Sequence, residues 1–310
     1  MPALHDRRSF LRNAALITAG AVGGVAGGLA PLDAPAIEPI KRIQGPKFKF
    51  SVAGYSYNRL FRPNPQVTLE EFIGDCAKMG VEGTELTSYY FPADADAAYL
   101  RKLKHLCFCE GLDISGTAVG NDFCHPPGPE RAEQIALVKK WIDNAEILGA
   151  PVIRIFSGRQ RGDQSESDAH RLAVEGIEEC CEYAGQHGVF LALENHGGLT
   201  TKIDGLLALV RDVKSPWFGI NVDTGNFQGT ATASDAYADL ARMAPYALNV
   251  QVKVMIRLDG SKDEPCDFRR VAQILRDSGY RGYVVLEYEE RDDPRQACPK
   301  YVEELRRAFA

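Results

Sequence analysis

From Phe48 onward, the sequence repeats one pattern every ~25 to 45 residues. Each repeat contains an apolar strand-like run, a polar loop and an amphipathic helical stretch, often followed by a glycine. Eight predicted strands therefore alternate with eight predicted helices. Because strands that alternate with helices pair in parallel, with the helices outside, eight such units in about 260 residues predict an α/β fold, a closed (β/α)8 TIM barrel.

Local signals support the boundaries of these units. Thr68 followed by Glu71 fits a capping box, and Gly80 and Gly149 stand where helices should end. The predicted strands cover residues 49–55, 81–86, 112–119, 151–157, 189–195, 218–223, 247–254 and 283–289. An open doubly wound sheet is the alternative, but it requires a phosphate-binding glycine turn after the first strand, and the segment GYSYNR is not one.

Residues 1–36 differ from the rest of the chain. An arginine pair at positions 7 and 8 precedes Phe-Leu, an apolar glycine-rich run and a small-residue Ala-Pro-Ala site. This order resembles a twin-arginine signal peptide, which implies export to a periplasmic or other extracytoplasmic location and a mature single barrel domain over residues 37–310. A retained membrane anchor is the alternative. No later segment is apolar enough to cross a membrane, so we expect no stable span in the mature form.

Charge and cysteine content narrow the classes of function. The net charge of -6 argues against a nucleic-acid partner, since binding to phosphate backbones normally requires a basic face. The eight cysteines form no CxxC pair, so a cysteine-ligated metal site is not predicted. We expect most of them to be buried thiols, with one or more disulfides as the alternative.

Four residues with metal-ligating side chains stand at or near the ends of consecutive predicted strands. They are Glu194, Asp223, Gln251 and Glu287. A carboxylate buried alone is costly, so their convergence predicts a compensating cation. Because active sites of such barrels lie at the carboxyl ends of the strands, we expect one divalent metal ion at this mouth.

Alternation along the seventh predicted strand supports the same site. Asn249, Gln251 and Lys253 share one face, and the intervening valines share the other. Valines suit the side that packs against helices, so the polar face should point into the barrel. We therefore predict that Lys253 contacts substrate oxygens, whereas Glu289 and Glu290 are expected to be solvated loop acids.

The segments LENHGG, NVDTGN, VQVKV and VLEYE resemble motifs of the xylose isomerase-like TIM barrel superfamily of sugar isomerases and epimerases. In ketose 3-epimerase-type members, Glu, Asp, His and Glu at the ends of strands five to eight hold one Mn or Mg ion, and the two glutamates act as acid and base. The resemblance implies that Glu194, Asp223, Gln251 and Glu287 ligate the metal, and that Glu194 and Glu287 are catalytic.

Two positions depart from this family pattern. Gln251 stands where histidine is usual, and Asn226 stands where a histidine often follows the Asp-Thr-Gly turn. A glutamine amide oxygen can ligate, and an all-oxygen site favours Mg or Mn over Zn. The alternative is that Gln251 only hydrogen-bonds a neighbouring carboxylate. Dehydroshikimate dehydratases of the same superfamily resemble this chain in having glutamine there.

The leading prediction is a metal-dependent isomerase or epimerase of a free or oxidised sugar, which transfers a proton through an enediolate. A lyase that dehydrates a keto-sugar or cyclic keto acid is the alternative, and a non-catalytic sugar-binding barrel is a third. The expected partner is a small carbohydrate or keto acid, and the chain is a candidate homo-oligomer. The predicted substrate-binding residues are His196, Lys253, His125, Asn121, Arg154 and Tyr55.

Overall fold

A computed structural model describes residues 38–260 and 263–310 of the chain. The predicted signal peptide, residues 1–36, lies outside these ranges, so export stays a prediction. Within them, eight strands form a closed barrel in which every neighbouring pair is parallel. The prediction of a (β/α)8 barrel is therefore confirmed.

The barrel strands run in chain order around the ring, and the first strand closes it against the last. They are β1 Lys47–Ala53, β2 Gly83–Thr87, β3 Asp113–Ala118, β4 Val152–Ile155, β5 Phe190–Glu194, β6 Phe218–Asp223, β7 Ala247–Val252 and β8 Arg281–Leu286. The outer helices are α1 Leu69–Lys78, α2 Ala97–Cys109, α3 Pro129–Leu148, α4 Glu166–Gln186, α5 Ile203–Asp212, α6 Ala233–Met243, α7 Phe268–Asp277 and α8 Pro294–Phe309.

Capping explains where several of these helices begin and end. The Thr68 hydroxyl accepts a hydrogen bond from the Glu71 amide, and the Glu71 carboxylate accepts one from the Thr68 amide, so α1 begins with the predicted capping box. Helix α3 ends at Leu148 and is capped by Gly149, whose φ of 78° lies in the left-handed region. The helix ends expected from these capping residues therefore agree with the helix ends in the structure.

A small sheet beyond the barrel mouth was not predicted. The segment Met255–Leu258 pairs in parallel with Asn226–Phe227 and antiparallel with Glu264–Pro265. The seventh predicted strand therefore ends at Val252, and the chain starts a second strand at Met255. This sheet ties the loop after β6 to the loop after β7, and both loops carry candidate site residues.

The core has two chemically different parts. Apolar side chains such as Val250 and Val252, both 0% exposed, pack between the strands and the helices. Inside the barrel, by contrast, the buried side chains near the mouth are polar, among them Asn221 and Asn249. All eight cysteines are free thiols. Among the described residues, no helix is both long and apolar enough to cross a membrane.

Candidate active site

A layer of hydrogen-bonded polar side chains fills the barrel below the mouth. The Glu85 carboxylate of β2 accepts hydrogen bonds from Asn249 Nδ2 at 3.0 Å and from Gln251 Nε2 at 2.7 Å. Asn249 Nδ2 also donates to Asn221 Oδ1, and Asn221 Nδ2 donates to Gln251 Oε1 at 2.7 Å. Burial raises the pKa of Glu85 to about 7, against the lowering effect of Arg154 and the two amides.

These contacts define what the Gln251 side chain does. Its nitrogen donates to Glu85, as the hydrogen-bonding alternative expected, and its oxygen accepts one bond from Asn221. An amide oxygen has two lone pairs, so Gln251 Oε1 keeps one for a further partner. Ligation of a metal by Gln251 stays a prediction. The bonds across the barrel also confirm that Asn249 and Gln251 point inward.

Glu194, the last residue of β5, carries a buried ion pair. Arg154 Nε of β4 lies 2.9 Å from Glu194 Oε2, and both side chains are about 5% exposed or less. Asn226 Nδ2 donates to the other carboxylate oxygen at 3.0 Å. Burial raises the pKa of Glu194, whereas the Arg154 charge opposes that shift. The two contacts hold the carboxylate in one orientation at the mouth.

Asp223, the last residue of β6, is held by its own loop. Its Oδ1 accepts the amides of Gly225 at 2.7 Å and Asn226 at 3.0 Å. The Asn195 side chain holds the backbone of Asp223 through two hydrogen bonds. Its oxygen accepts a hydrogen bond from the Asp223 amide, and its nitrogen donates one to the Asp223 carbonyl. Asp223 Oδ2 is buried and accepts no well-directed hydrogen bond. One oxygen is thus held by backbone amides, and the other contacts the Lys253 ammonium at 3.1 Å.

The Lys253 ammonium lies between the remaining carboxylates. Its nitrogen is 3.1 Å from Asp223 Oδ2, 3.3 Å from Glu287 Oε2 and 3.0 Å from Glu289 Oε1, and the side chain is 5% exposed. Burial alone would lower the pKa of Lys253, but the carboxylates raise it well above its usual value. Glu289 also pairs with Arg257 at 3.0 Å. The expectation that Glu289 is a solvated loop acid was wrong, because the loop after β8 folds back onto this cluster.

The expected metal can be tested against this donor set. Three carboxylates and an amide oxygen are the hard ligands that Mg and Mn prefer. Gln251 Oε1 keeps a free lone pair, and Asp223 Oδ2 is paired with the Lys253 ammonium without a well-directed hydrogen bond. The donors therefore fit such an ion in kind. As the side chains stand, no three His, Cys, Asp or Glu residues within 38–260 and 263–310 form a metal-binding group. The Lys253 ammonium lies among the oxygens instead.

A cavity of about 230 Å³ opens above these groups. It is lined by Tyr55, Tyr89, Arg154, Phe156, Glu194, His196, Lys253, Glu287 and Glu289. Four of the predicted substrate-binding residues therefore face one space, namely Tyr55, Arg154, His196 and Lys253. Burial lowers the pKa of His196, and Arg154 and Lys253 add to that shift. The environment of the cavity therefore favours the neutral form of the His196 imidazole.

A second cavity of about 360 Å³ adjoins the first across Phe156 and His196, whose rings lie 4.6 Å apart. Asn121 lines this outer cavity together with Arg159. Asn121 also exchanges two hydrogen bonds with the Phe156 backbone. His125 is half-buried and is not among the residues that line either cavity. The mouth thus offers more space than the central cavity alone.

Several residues of the site were not singled out in the sequence. Tyr89 and Phe156 line the central cavity, and the Arg154 guanidinium stacks 4.1 Å from the centre of the Phe156 ring. Asn195 follows Glu194 within the segment LENHGG, so its place in that motif was a usable signal. Tyr89 had none, because it lies on a short helical turn after β2.

A parallel eight-stranded barrel with buried acids at the carboxyl ends of β5, β6 and β8 defines the class of protein. The family model for the xylose isomerase-like TIM barrel matches residues 73–308, and the chain belongs to that family.

Named relatives include both epimerases and dehydratases. An inosose dehydratase of Erwinia tasmaniensis is 24% identical over 289 residues, which cover 82% of this chain and 93% of that protein. A D-psicose 3-epimerase structure from Clostridium cellulolyticum H10 is 16% identical with a TM-score of 0.69, covering 84% of this chain and 99% of the other. The probable 3-DHS dehydratase AsbF from Bacillus anthracis is 16% identical with a TM-score of 0.64, covering 83% and 98%. Because each of the two solved structures is only 16% identical to this chain, each shows a shared fold but not a shared reaction.

Proposed function

We propose that this protein is a metal-dependent isomerase or epimerase of a free or oxidised sugar, with Glu194 and Glu287 as its acid and base. The observation that carries this proposal is that both glutamates are buried and line one cavity. Burial raises the pKa of both carboxyl groups above the usual value for glutamate. Two carboxyl groups of this kind suit removal and return of a proton.

The residues that would hold the metal are Glu194, Asp223, Gln251 and Glu287. A bound Mn or Mg ion supplies polarisation of the substrate carbonyl and stabilises negative charge on its oxygen. The protein's own groups supply the proton transfers. The two glutamates differ in their contacts, and we infer their roles from that difference.

Glu194 is the better base. Arg154 and Asn226 both stabilise its charged form, at 2.9 and 3.0 Å. Among the described ion pairs, Glu287 pairs with Lys253 at 3.3 Å, and it shares this lysine with Asp223 and Glu289. We propose Glu287 as the proton donor, because its ion-pair partner Lys253 is shared among three carboxylates and burial favours the protonated form of Glu287. Glu194 then removes the proton beside the carbonyl, and Glu287 delivers one to the intermediate.

A lyase is the second candidate, and the glutamine at position 251 favours it. The removal of the first proton is the same, but Glu287 then protonates a departing hydroxyl group and an alkene forms. The dehydratase names among the relatives agree with this candidate. A position outside the cytoplasm is part of both proposals and depends on the arginine pair at positions 7 and 8.

Proton NMR in D2O distinguishes these reactions. The Mn-loaded protein is incubated with a panel of ketoses, keto-sugars and cyclic keto acids. An isomerase or epimerase gives a product isomer with solvent deuterium at one carbon, and a lyase gives an alkene signal. The protein after removal of metal by a chelator is the control, and equal turnover without metal would contradict the metal-dependent proposal. No conversion of any substrate would favour a sugar-binding barrel.

A further inference from the structure

The positive charge of the Lys253 ammonium offsets the negative charges of the buried carboxylates at the site. It lies within 3.1 and 3.3 Å of Asp223 and Glu287, two of the residues proposed to hold the metal. Asn226 Oδ1 is also within 3.3 Å of the same nitrogen. A divalent ion held by Asp223 and Glu287 would draw on the carboxylates that the ammonium now contacts. The two cations would therefore compete for the same carboxylates.

The Lys253 ammonium has an alternative acidic partner in Glu289. Glu289 Oε1 lies 3.0 Å from the ammonium and is closer to solvent, with a side chain that is 21% exposed. Glu289 also lines the central cavity, so an ammonium that keeps this one partner still faces the substrate space. The backbone of Lys253 need not move. Its amide donates to Thr224 Oγ1 at 3.0 Å, which holds the backbone in place. Lys253 Cβ also packs closely against Gly225, where an added Cβ atom would lie only 2.7 Å away.

We propose that Lys253 is an exchangeable internal cation. Without metal, its ammonium neutralises Asp223 and Glu287 and prevents the unpaired burial of their charges. When a divalent ion binds these carboxylates, the ammonium withdraws to Glu289 and faces the substrate. Lys253 is thus a positioning residue that couples metal binding to the cavity. This inference rests on the proposed metal-dependent function, because it requires the ion to bind.

Titration of the purified full-length protein with MnCl2 tests the competition. The electron paramagnetic resonance signal of free Mn ions measures binding directly, without any substrate. Lys253→Met keeps much of the apolar stem and removes the competing charge, so we expect it to bind Mn roughly tenfold more tightly than the unchanged protein. Affinity that is equal or weaker in Lys253→Met would overturn the proposal.

Glu289→Gln tests the second position of the ammonium and does not depend on how Lys253→Met folds. Because it removes the outer partner, Lys253 should stay on the inner carboxylates and Mn affinity should fall several-fold. Glu290→Gln is the matched control, since Glu290 pairs only with Arg257, at 3.3 Å, among the described ion pairs. Equal Mn affinity in the Glu289→Gln and Glu290→Gln variants would contradict the proposal.

The double variant Lys253→Met/Glu289→Gln completes the comparison. Without the lysine, the Glu289→Gln change should affect Mn binding no more than Glu290→Gln does. An undiminished effect in the double variant would show that Glu289 acts on the metal directly and refute the exchange. If neither the unchanged protein nor Lys253→Met binds Mn, the metal-dependent function fails as well. Tight binding that is indifferent to Lys253 refutes the exchange alone.

Discussion

Replacing Arg154 with methionine removes the positive charge from the ion pair inside the barrel. Arg154 and Glu194 are 5% and 4% exposed, and their charged groups are 2.9 Å apart. Methionine keeps part of the apolar stem against the Phe156 ring, over which the guanidinium stacks at 4.1 Å. The Glu194 carboxylate would then be buried with Asn226 as its remaining hydrogen-bond donor.

The expected loss of stability follows from these distances. Two unit charges whose centres are about 4 Å apart attract by ~4 kcal/mol at an effective dielectric constant of about 20. Removing one partner of a buried pair costs about 3–5 kcal/mol, because the other charge stays buried. We therefore expect Arg154→Met to lower the free energy of unfolding by about 3–5 kcal/mol. Urea denaturation followed by circular dichroism measures this difference.

Two comparisons make the Arg154 experiment decisive. Arg171→Met removes an exposed pair with Glu175, whose side chains are 57% and 51% exposed, and should leave the free energy of unfolding nearly unchanged. Arg154→Met/Glu194→Gln removes both charges and should recover a large part of the loss. Part of it remains, because the Val119 carbonyl loses the hydrogen bond that Arg154 donates at 3.0 Å. A loss below about 1 kcal/mol in Arg154→Met, or no recovery in the double variant, would refute this reasoning.

Three further predictions concern the mouth and the thiols. Gly197 lines the outer cavity, its backbone is extended, and a Cβ atom there would meet nothing within 4 Å. Gly197→Phe should therefore keep the melting temperature unchanged and raise KM for substrates longer than one sugar ring, relative to Gly197→Ala. Gly158→Ala should lower the melting temperature, because Gly158 has a φ of 97° and its new Cβ would lie 1.9 Å from Asp122 Oδ1. Iodoacetamide at pH 8 should modify the exposed Cys109 before the other thiols, and mass spectrometry measures the order of labelling. The buried thiols should react more slowly, because burial raises their pKa to about 12 at Cys107, Cys124, Cys180, Cys266 and Cys298.

The eightfold repeat made the barrel predictable, because strand and helix periods and helix caps are local properties. The same periods indicated that Glu194, Asp223 and Gln251 lie near the carboxyl ends of β5, β6 and β7. Side-chain alternation along β7 also predicted that Asn249 and Gln251 point inward. These inferences needed only the sequence spacing within single units.

The ion pairs of the site were not predictable in this way. Lys253 contacts Glu289 because the loops after β7 and β8 meet above the barrel, and no pattern within either segment specifies that meeting. The seventh predicted strand ran to residue 254 because its apolar run contains no turn residue. In the structure it ends at Val252, since the chain there joins the small sheet that Met255–Leu258 forms. Glu85 reaches Gln251 across the barrel, a contact between positions far apart in the sequence.

Exchange of a carbon-bound proton with solvent tests the proposed chemistry most directly. The Mn-loaded protein is incubated in D2O with a substrate from the panel, and deuterium at the carbon beside the carbonyl is measured by NMR. The unchanged protein and Glu290→Gln should incorporate deuterium at similar rates, whereas Glu194→Gln should slow it by roughly a hundredfold or more. Equal incorporation by Glu194→Gln and the unchanged protein would contradict the assignment of this glutamate as the base.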